Sequence, residues 1–161
     1  MTKPLPAPAV LLVCTANICR SPMAEAVLRA QGLFGHVESA GVYAGPRGQP
    51  VDARAARALL KRGYELGRRW RSRPLPLEQF DRFDLVLAME QEHLQALRER
   101  CPAHLQGRLH LFLDFVPGRA GEEVPDPYFG SEQGFEHVLD LLELGAAGLR
   151  GAVGRGLLLP A

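Results

Sequence analysis

The stretch that decides the fold reads Val10-Leu11-Leu12-Val13-Cys14-Thr15-Ala16-Asn17-Ile18-Cys19-Arg20-Ser21-Pro22. Its first four residues are apolar and rich in β-branched side chains, which predicts a short buried strand. Residues 22–30 favour a helix, because a proline near the first helical position has no amide hydrogen to lose. Cys14 is therefore expected where a strand ends and a loop leads into a helix.

The loop after this strand is suited to binding a dianion. Its backbone N–H groups can converge beside the positive end of the helix dipole, so that phosphate is held without a lysine. The same field favours a thiolate on Cys14 over the thiol. Ser21 can donate a hydroxyl hydrogen bond to that thiolate, and Arg20 offers a planar fork for two phosphate oxygens. The loop residues that would surround the phosphate are Thr15, Ala16, Asn17, Ile18 and Cys19.

An aspartate between two prolines supplies the second part of this chemistry. Expelling an alkoxide or a phenolate from a phosphate ester needs a proton donor opposite the nucleophile, and Asp126 is the candidate. Pro125 and Pro127 stiffen the chain around it. Taken alone, the same residues would be interpreted as an ordinary Asp-Pro turn. The assignment therefore depends on the cysteine loop.

Two motifs resemble those of one family, the low-molecular-weight protein tyrosine phosphatases. The first is the stretch 14–22, and the second is Val124-Pro125-Asp126-Pro127-Tyr128-Phe129-Gly130. They lie about 110 residues apart in the expected order, which is stronger evidence than either motif alone. The resemblance runs from about Val10 to Leu149.

The resemblance implies hydrolysis of protein phosphotyrosine and of small aryl phosphates through a phosphocysteine intermediate. In the family's roles, Cys14 is the nucleophile, Arg20 binds phosphate, and Asp126 is first the general acid and then the base. Tyr128 would form one wall of the pocket, and Tyr43 lies near the position of a second wall. The resemblance implies no metal and no other cofactor.

The chain resembles the bacterial branch of the family that serves exopolysaccharide-associated tyrosine kinases. Some other relatives carry a tryptophan four residues after the end of the second strand, and Gly45 stands at that position here. The expected partner is therefore a phosphotyrosine-containing protein, with a bacterial tyrosine kinase as the candidate.

Two residues depart from the family pattern. Ala16 occupies a loop position that is usually glycine, and if that position needs a positive φ, alanine would cost on the order of 1 kcal/mol. Trp70 stands where many relatives have a histidine that supports the loop. Asn17, Ser21 and Ser39 match the other members of that support network, but the change at position 70 puts the network in doubt.

Cys19 is a candidate for redox control. In the resembling family this neighbour of the nucleophile can form a reversible disulfide with it, which stops oxidation short of the irreversible acids. The simpler alternative is a small apolar residue that packs beneath the loop. Cys101 is expected to be a structural or surface thiol.

Two other functions are compatible with the same loop. Arsenate reductases of this fold bind arsenate in a similar loop, but their chemistry needs a relay of further cysteines, and no cysteine pair follows the loop here. The second alternative is a catalytically silent module that binds phosphate or senses oxidation. Intact candidates for nucleophile, acid and arginine favour the phosphatase over both.

Length and composition fit one small intracellular enzyme. The chain has 161 residues, 47% of them hydrophobic and 23% charged, with a net charge of +1. This balance predicts no strong attraction to nucleic acid or membrane, and no stretch approaches the roughly 20 apolar residues of a membrane span. Three cysteines, an odd number, favour a reducing compartment, the cytoplasm. We expect a monomer.

Helical and strand patterns alternate along the chain, which predicts a three-layer α/β/α fold around a mostly parallel four-stranded sheet. The phosphate loop then lies between the first strand and the first helix. Further strands are predicted at 37–41, 83–89 and 109–113, and further helices at 53–62, 90–100 and 132–149. One phosphatase domain is expected over 9–150, between flexible tails at 1–8 and 151–161. His93, His104 and His110 are expected to be scattered surface residues, not metal ligands.

Overall fold

The computed structural model describes residues 7–156, so residues 1–6 of the predicted N-terminal tail and residues 157–161 of the predicted C-terminal tail lie outside the described residues. Strands and helices alternate along the described chain. They are β1 (Ala9–Cys14), α1 (Arg20–Gln31), β2 (His36–Gly41), α2 (Ala53–Lys61), β3 (Leu85–Ala88), α3 (Gln91–Arg100), β4 (Leu109–Leu111) and α4 (Glu132–Gly154). Short 3₁₀ turns occupy Leu77–Arg82, Ala103–Arg108 and Phe112–Phe115.

The four strands form one sheet in the order β2-β1-β3-β4, and every neighbouring pair is parallel. This confirms the predicted fold class. In this register Cys14 lies beside Gly41 of β2, and Val13 lies beside Ala88 of β3. The carboxyl ends of the three strands therefore meet at one edge of the sheet, where α/β proteins commonly bind their ligands.

Helices cover both faces of the sheet, because alternate residues of each strand point to opposite sides. Val10 and Leu12 of β1 belong to the apolar cluster that α1, α2 and α4 contribute to. Leu11 and Val13 belong to the cluster on the other face, with α3. All four side chains are fully buried, which makes β1 the centre of the core. No helix within residues 7–156 is long and apolar enough to cross a bilayer.

Several predicted boundaries were wrong: the strand expected over 83–89, for example, is shorter and spans Leu85–Ala88. Two of the differences have a clear physical cause. The strand expected over 109–113 ends at Leu111, because the carboxylate of Asp114 accepts a hydrogen bond from the Leu111 amide (2.9 Å) and starts a 3₁₀ turn. The last helix continues past Leu149 to Gly154, into the segment expected to be a tail. Ala152 is fully buried there, so tertiary packing outweighs the low helix propensity of the nearby glycines.

Candidate active site

Cys14 is the last residue of β1, and only 3% of its surface is exposed. Helix α1 begins at Arg20, two residues earlier than predicted, so the loop between them spans residues 15–19. Ser21 follows in the first turn of the helix, with its Oγ 2.9 Å from the Cys14 Sγ. A hydroxyl at this distance can donate a hydrogen bond to a thiolate, as the sequence indicated.

The left-handed residue of the loop is Asn17, with φ = 58°, and not Ala16. Asparagine tolerates this conformation better than most side chains, so the strain considered for Ala16 does not arise. The Asn17 amide fixes the loop from within. Its Nδ2 donates to Ser21 Oγ (2.7 Å) and to Ser39 Oγ (2.9 Å), and its Oδ1 accepts from the Arg73 backbone amide (3.0 Å).

The end of β2 approaches the loop closely. A Cβ placed on Gly41 would lie 2.8 Å from the Thr15 carbonyl oxygen and 2.8 Å from the Ala16 carbonyl carbon, closer than real Cβ atoms come. Immediately beyond, the amide of Tyr43 donates to the Thr15 carbonyl (2.8 Å). Glycine at position 41 is therefore required for the loop to rest on the sheet edge.

Trp70 takes part in the support of the loop. Its indole Nε1 donates to the Glu25 carboxylate (3.2 Å), and Ser39 donates to the same oxygen (2.5 Å). Glu25 is 2% exposed, and Arg29 neutralises it at 2.9 Å. The concern raised by the departure at position 70 is thus answered, because a chain of hydrogen bonds runs from Trp70 through Glu25 and Ser39 to Asn17.

The guanidinium of Arg20 is 2% exposed. It contacts the turn that follows β3 and the segment that carries Asp126. Its Nη1 donates to the Val124 carbonyl (2.8 Å) and lies 3.2 Å from the Glu90 carboxylate. Its Nη2 lies 3.7 Å from the carboxylate of Asp126. Sequence reasoning missed Glu90. Its position two residues after β3, at the edge where Cys14 lies, was the available signal.

Cys14, Arg20 and Asp126 line one pocket of about 280 Å³. Tyr128 also lines it, as predicted, and is 43% exposed. Tyr43 does not line it: the Tyr43 side chain is 63% exposed, and its hydroxyl reaches toward Glu92 at 3.5 Å. The remaining lining residues are Thr15, Ala16, Ile18, Cys19 and Phe129.

The segment that carries Asp126 is held at both ends. Before it, the Val124 amide donates to the Met89 carbonyl at the end of β3 (2.8 Å). Within it, Asp126 Oδ1 accepts from the Tyr128 amide (3.0 Å), which closes a tight turn. The carboxyl group is thus presented to the pocket by a fixed backbone, as the flanking prolines indicated.

Arg54 of α2 holds the segment after Asp126 in place, and the sequence did not single it out. Its guanidinium pairs with Asp52, the N-cap of α2 (3.0 Å), and donates to the Tyr128 carbonyl (2.9 Å). It also lies over the rings of Tyr128 and Phe135, at 5.3 and 4.7 Å from their centroids. The side-chain hydrogen bond to Arg54 lowers the pKa of Asp52.

His93 was wrongly expected on the surface. It is fully buried at the start of α3 and lies 2.8 Å from the Thr15 hydroxyl. His104 is exposed and His110 is half-buried. Within residues 7–156, no group of three or more His, Cys, Asp or Glu side chains is arranged to hold a metal ion.

Cys19 is the last residue of the loop, lines the pocket and is 5% exposed. Burial, followed by the charge of Asp52, raises the pKa of its thiol to about 12. Cys19 is therefore a thiol, not a thiolate, at neutral pH. Cys101 is buried as well, at 8% exposure, and does not line the pocket.

Comparison with known proteins identifies the family. A sequence model described as "Low molecular weight phosphotyrosine protein phosphatase" matches residues 9–157. A low molecular weight protein-tyrosine-phosphatase of Streptomyces coelicolor is 41% identical over 154 residues, covering 89% of this chain and 92% of that protein. A protein-arginine-phosphatase of Bacillus subtilis is 36% identical over 138 residues, covering 83% and 89%.

Solved structures agree. The crystal structure of a protein tyrosine phosphatase from Entamoeba histolytica, with Hepes in its active site, superposes with a TM-score of 0.84. That chain is 35% identical, and the match covers 93% of this chain and 99% of the other. The chain therefore belongs to the low-molecular-weight phosphotyrosine protein phosphatases, enzymes that hydrolyse protein phosphotyrosine.

Proposed function

We propose that Cys14, Arg20 and Asp126 carry out phosphotyrosine hydrolysis in this protein through a phosphocysteine. The observation that carries the proposal is that these three side chains, two of them at the ends of the loop and one from a distant segment, line a single pocket. Each has the chemistry of one required part: a nucleophile, an anion-binding fork and a proton donor.

In the first step the Cys14 thiolate attacks phosphorus, and the bond between phosphorus and the tyrosyl oxygen breaks. Arg20 and the loop amides hold the phosphoryl oxygens, while the Asp126 carboxyl protonates the leaving oxygen. In the second step the ionised Asp126 takes a proton from water, which attacks the same phosphorus. Inorganic phosphate leaves, and the Cys14 thiolate is restored.

The pocket walls favour an aromatic substrate. Ile18, Tyr128 and Phe129 surround the mouth with apolar surface, on which a phosphotyrosyl ring can pack and stack. Phosphoarginine is the relevant competitor, because one relative is named a protein-arginine-phosphatase. A phosphorylated guanidinium needs hydrogen-bond acceptors beside it, and the side chain of Ile18 offers none.

The test compares two peptides of the same sequence, one with phosphotyrosine and one with phosphoarginine, under reducing conditions with EDTA. We expect kcat/KM for phosphotyrosine to exceed that for phosphoarginine by about 100-fold or more, since the apolar side chains of Ile18 and Phe129 pack against a ring and offer a guanidinium no acceptor. Phosphate release is the measurement. Equal or faster release from the phosphoarginine peptide would contradict the assignment of the substrate.

The same assay separates the two alternative functions. A silent phosphate-binding module would bind inorganic phosphate or vanadate without releasing phosphate from either peptide. An arsenate reductase would consume arsenate in the presence of thioredoxin. Among the described residues the free cysteines are Cys14, Cys19 and Cys101, and Cys101 lies outside the pocket. This arrangement does not support a relay of cysteines, and so does not support arsenate reduction.

For the biological setting we propose a monomer in the cytoplasm that acts on a phosphotyrosine-containing protein, with a bacterial tyrosine kinase as partner. Free thiols support a reducing compartment. A net charge of +1 supports neither nucleic acid nor an anionic membrane as partner.

We also propose Cys19 as the redox partner of Cys14. Both side chains line the pocket, and both are free. If peroxide converts Cys14 to a sulfenic acid, the Cys19 thiol can condense with it, forming a disulfide and releasing water. The raised pKa of Cys19 keeps its sulfur a thiol at neutral pH, so Cys19 is itself a poor target for peroxide.

Arg54 is assigned as a positioning residue for the acid segment. Replacing Arg54 by glutamine removes the contact with the Tyr128 carbonyl and the cation over its ring, so we expect kcat to fall about 5- to 10-fold through misplacement of Asp126. Steady-state kinetics with p-nitrophenyl phosphate measure this. The matched control is Arg57→Gln on the same helix, where the arginine pairs, among residues 7–156, with exposed Glu132 alone. Equal kcat values in the two variants would contradict the role of Arg54.

A further inference from the structure

The protonation of His93 is fixed by the backbone. The ring is fully buried, and its Nδ1 lies 3.1 Å from the amide nitrogen of Glu90. A backbone amide can only donate, so Nδ1 must accept. In a neutral imidazole the proton then resides on Nε2.

The ring is neutral at the pH of the cytoplasm. Burial, followed by the positive charge of Arg20, lowers the pKa of His93 to about 4. Glu92, Asp126 and Glu123 act in the opposite direction but do not offset the burial. His93 therefore presents one acceptor to Glu90 and one donor, Nε2–H, to the other side.

The Nε2–H group of His93 lies within hydrogen-bond distance of the Thr15 hydroxyl. Nε2 lies 2.8 Å from Thr15 Oγ1 and 3.5 Å from the Glu90 carboxylate, so Thr15 is the nearer acceptor. Arg20 Nη2 lies 3.3 Å from the same Thr15 oxygen, and a guanidinium also can only donate.

The Thr15 hydroxyl is therefore approached by two donors. A hydroxyl has two lone pairs and one proton, and His93 and Arg20 occupy the lone pairs. Within residues 7–156 the hydroxyl has no other hydrogen-bond partner, so its own proton is left without a protein acceptor. Thr15 lines the pocket beside Cys14 and Arg20, which is where a phosphoryl oxygen would lie.

We propose that the Thr15 hydroxyl donates a hydrogen bond to an oxygen of the bound phosphoryl group, and that His93 is the positioning residue that turns the hydroxyl toward it. The proposal rests on the proposed use of this pocket as the phosphoryl site. The Thr15 hydroxyl thus adds one side-chain donor to the backbone N–H groups of the loop that surround the phosphoryl group. A donor already oriented before the substrate arrives needs no reorganisation during the reaction.

Inorganic phosphate, a competitive inhibitor, tests the role of Thr15. We expect Thr15→Val to raise the inhibition constant of phosphate about tenfold, the value of one hydrogen bond to a charged group. Thr15→Ser keeps the hydroxyl, and its constant should stay within about threefold of the intact protein. An unchanged constant in Thr15→Val would overturn the proposal.

A double-mutant cycle tests the role of His93. Asparagine at position 93 can still accept from the Glu90 amide through its shorter side chain, but it does not reach Thr15. His93→Asn should raise the phosphate constant about threefold or more in the presence of Thr15, and should add nothing in the Thr15→Val background. The same loss in both backgrounds would show that His93 does not act through Thr15.

The intact protein offers a measurement that does not depend on the folding of variants. Nitrogen-15 NMR of the His93 ring at neutral pH should show a proton on Nε2 and none on Nδ1. A proton on Nδ1, or on both nitrogens, would overturn the proposal. Failure of the intact protein to bind phosphate would instead overturn the proposed site itself, which keeps the two results distinct.

Discussion

Replacing Cys14 by serine is expected to abolish phosphate release while leaving the fold and the phosphate site in place. The serine oxygen is smaller than sulfur and fits the space that the thiol leaves, and the neighbouring Ser21 hydroxyl, 2.9 Å from the sulfur, remains available as a hydrogen-bond partner. A serine hydroxyl does not ionise near neutral pH, and the proposed mechanism supplies no base to activate it. The rate with p-nitrophenyl phosphate should fall by about 10,000-fold or more.

The control for this variant is Cys101→Ser. Cys101 is also a buried thiol, but it lies outside the pocket, so its replacement should leave kcat within about twofold. Inhibition constants cannot be read from an inactive enzyme, so phosphate or vanadate binding to Cys14→Ser is measured by calorimetry. Cys14→Ser that retains a tenth of the activity would rule out a cysteine nucleophile.

Replacing Asp126 by asparagine is expected to lower kcat by about 100-fold or more, the usual contribution of a general acid. The change is conservative for structure, because an asparagine oxygen can still accept from the Tyr128 amide, as Asp126 Oδ1 does at 3.0 Å. The loss should depend on the leaving group. Phenyl phosphate should suffer more than p-nitrophenyl phosphate, since the nitrophenolate leaves readily without a proton.

Measuring kcat for both esters separates acid catalysis from a general disturbance of the site. Glu123→Gln is the matched control: it neutralises a carboxylate of the same segment that does not line the pocket with Cys14, and kcat should change less than about twofold. An equal loss for both esters in Asp126→Asn would mean that Asp126 positions the substrate and does not protonate the leaving oxygen.

The parts of the site that lie close together in the chain were predictable from the sequence. Cys14, Arg20 and Ser21 belong to one strand-loop-helix unit, whose geometry follows from local propensities and the helix N-terminus. The alternation of strands and helices was likewise enough to predict a parallel sheet with two covered faces. Asp126 lies far along the chain, and it was singled out only because its motif follows the cysteine loop in the order of the family that both motifs resemble.

The residues that were missed act across the sheet edge. Glu90 and His93 contact Arg20 and Thr15 only because β1 and β3 are neighbours in the sheet. Local sequence patterns do not predict the order of the strands in a sheet. His93 lies in a helix that is rich in polar residues, so the sequence gives no sign that its side chain is buried. Arg54 was missed as well, because nothing in the sequence places α2 beside the Tyr128 segment.

The hydrogen bond from Arg20 to the Val124 carbonyl sets the distance between two chain segments that are 104 residues apart in the sequence. Because this contact uses a backbone oxygen, it does not depend on the side chain at position 124. In protein engineering the phosphate loop and the acid segment therefore have to be treated as one unit that this contact holds together. An acid segment grafted from a relative keeps its spacing to the nucleophile only if its backbone presents a carbonyl to Arg20 at the same place.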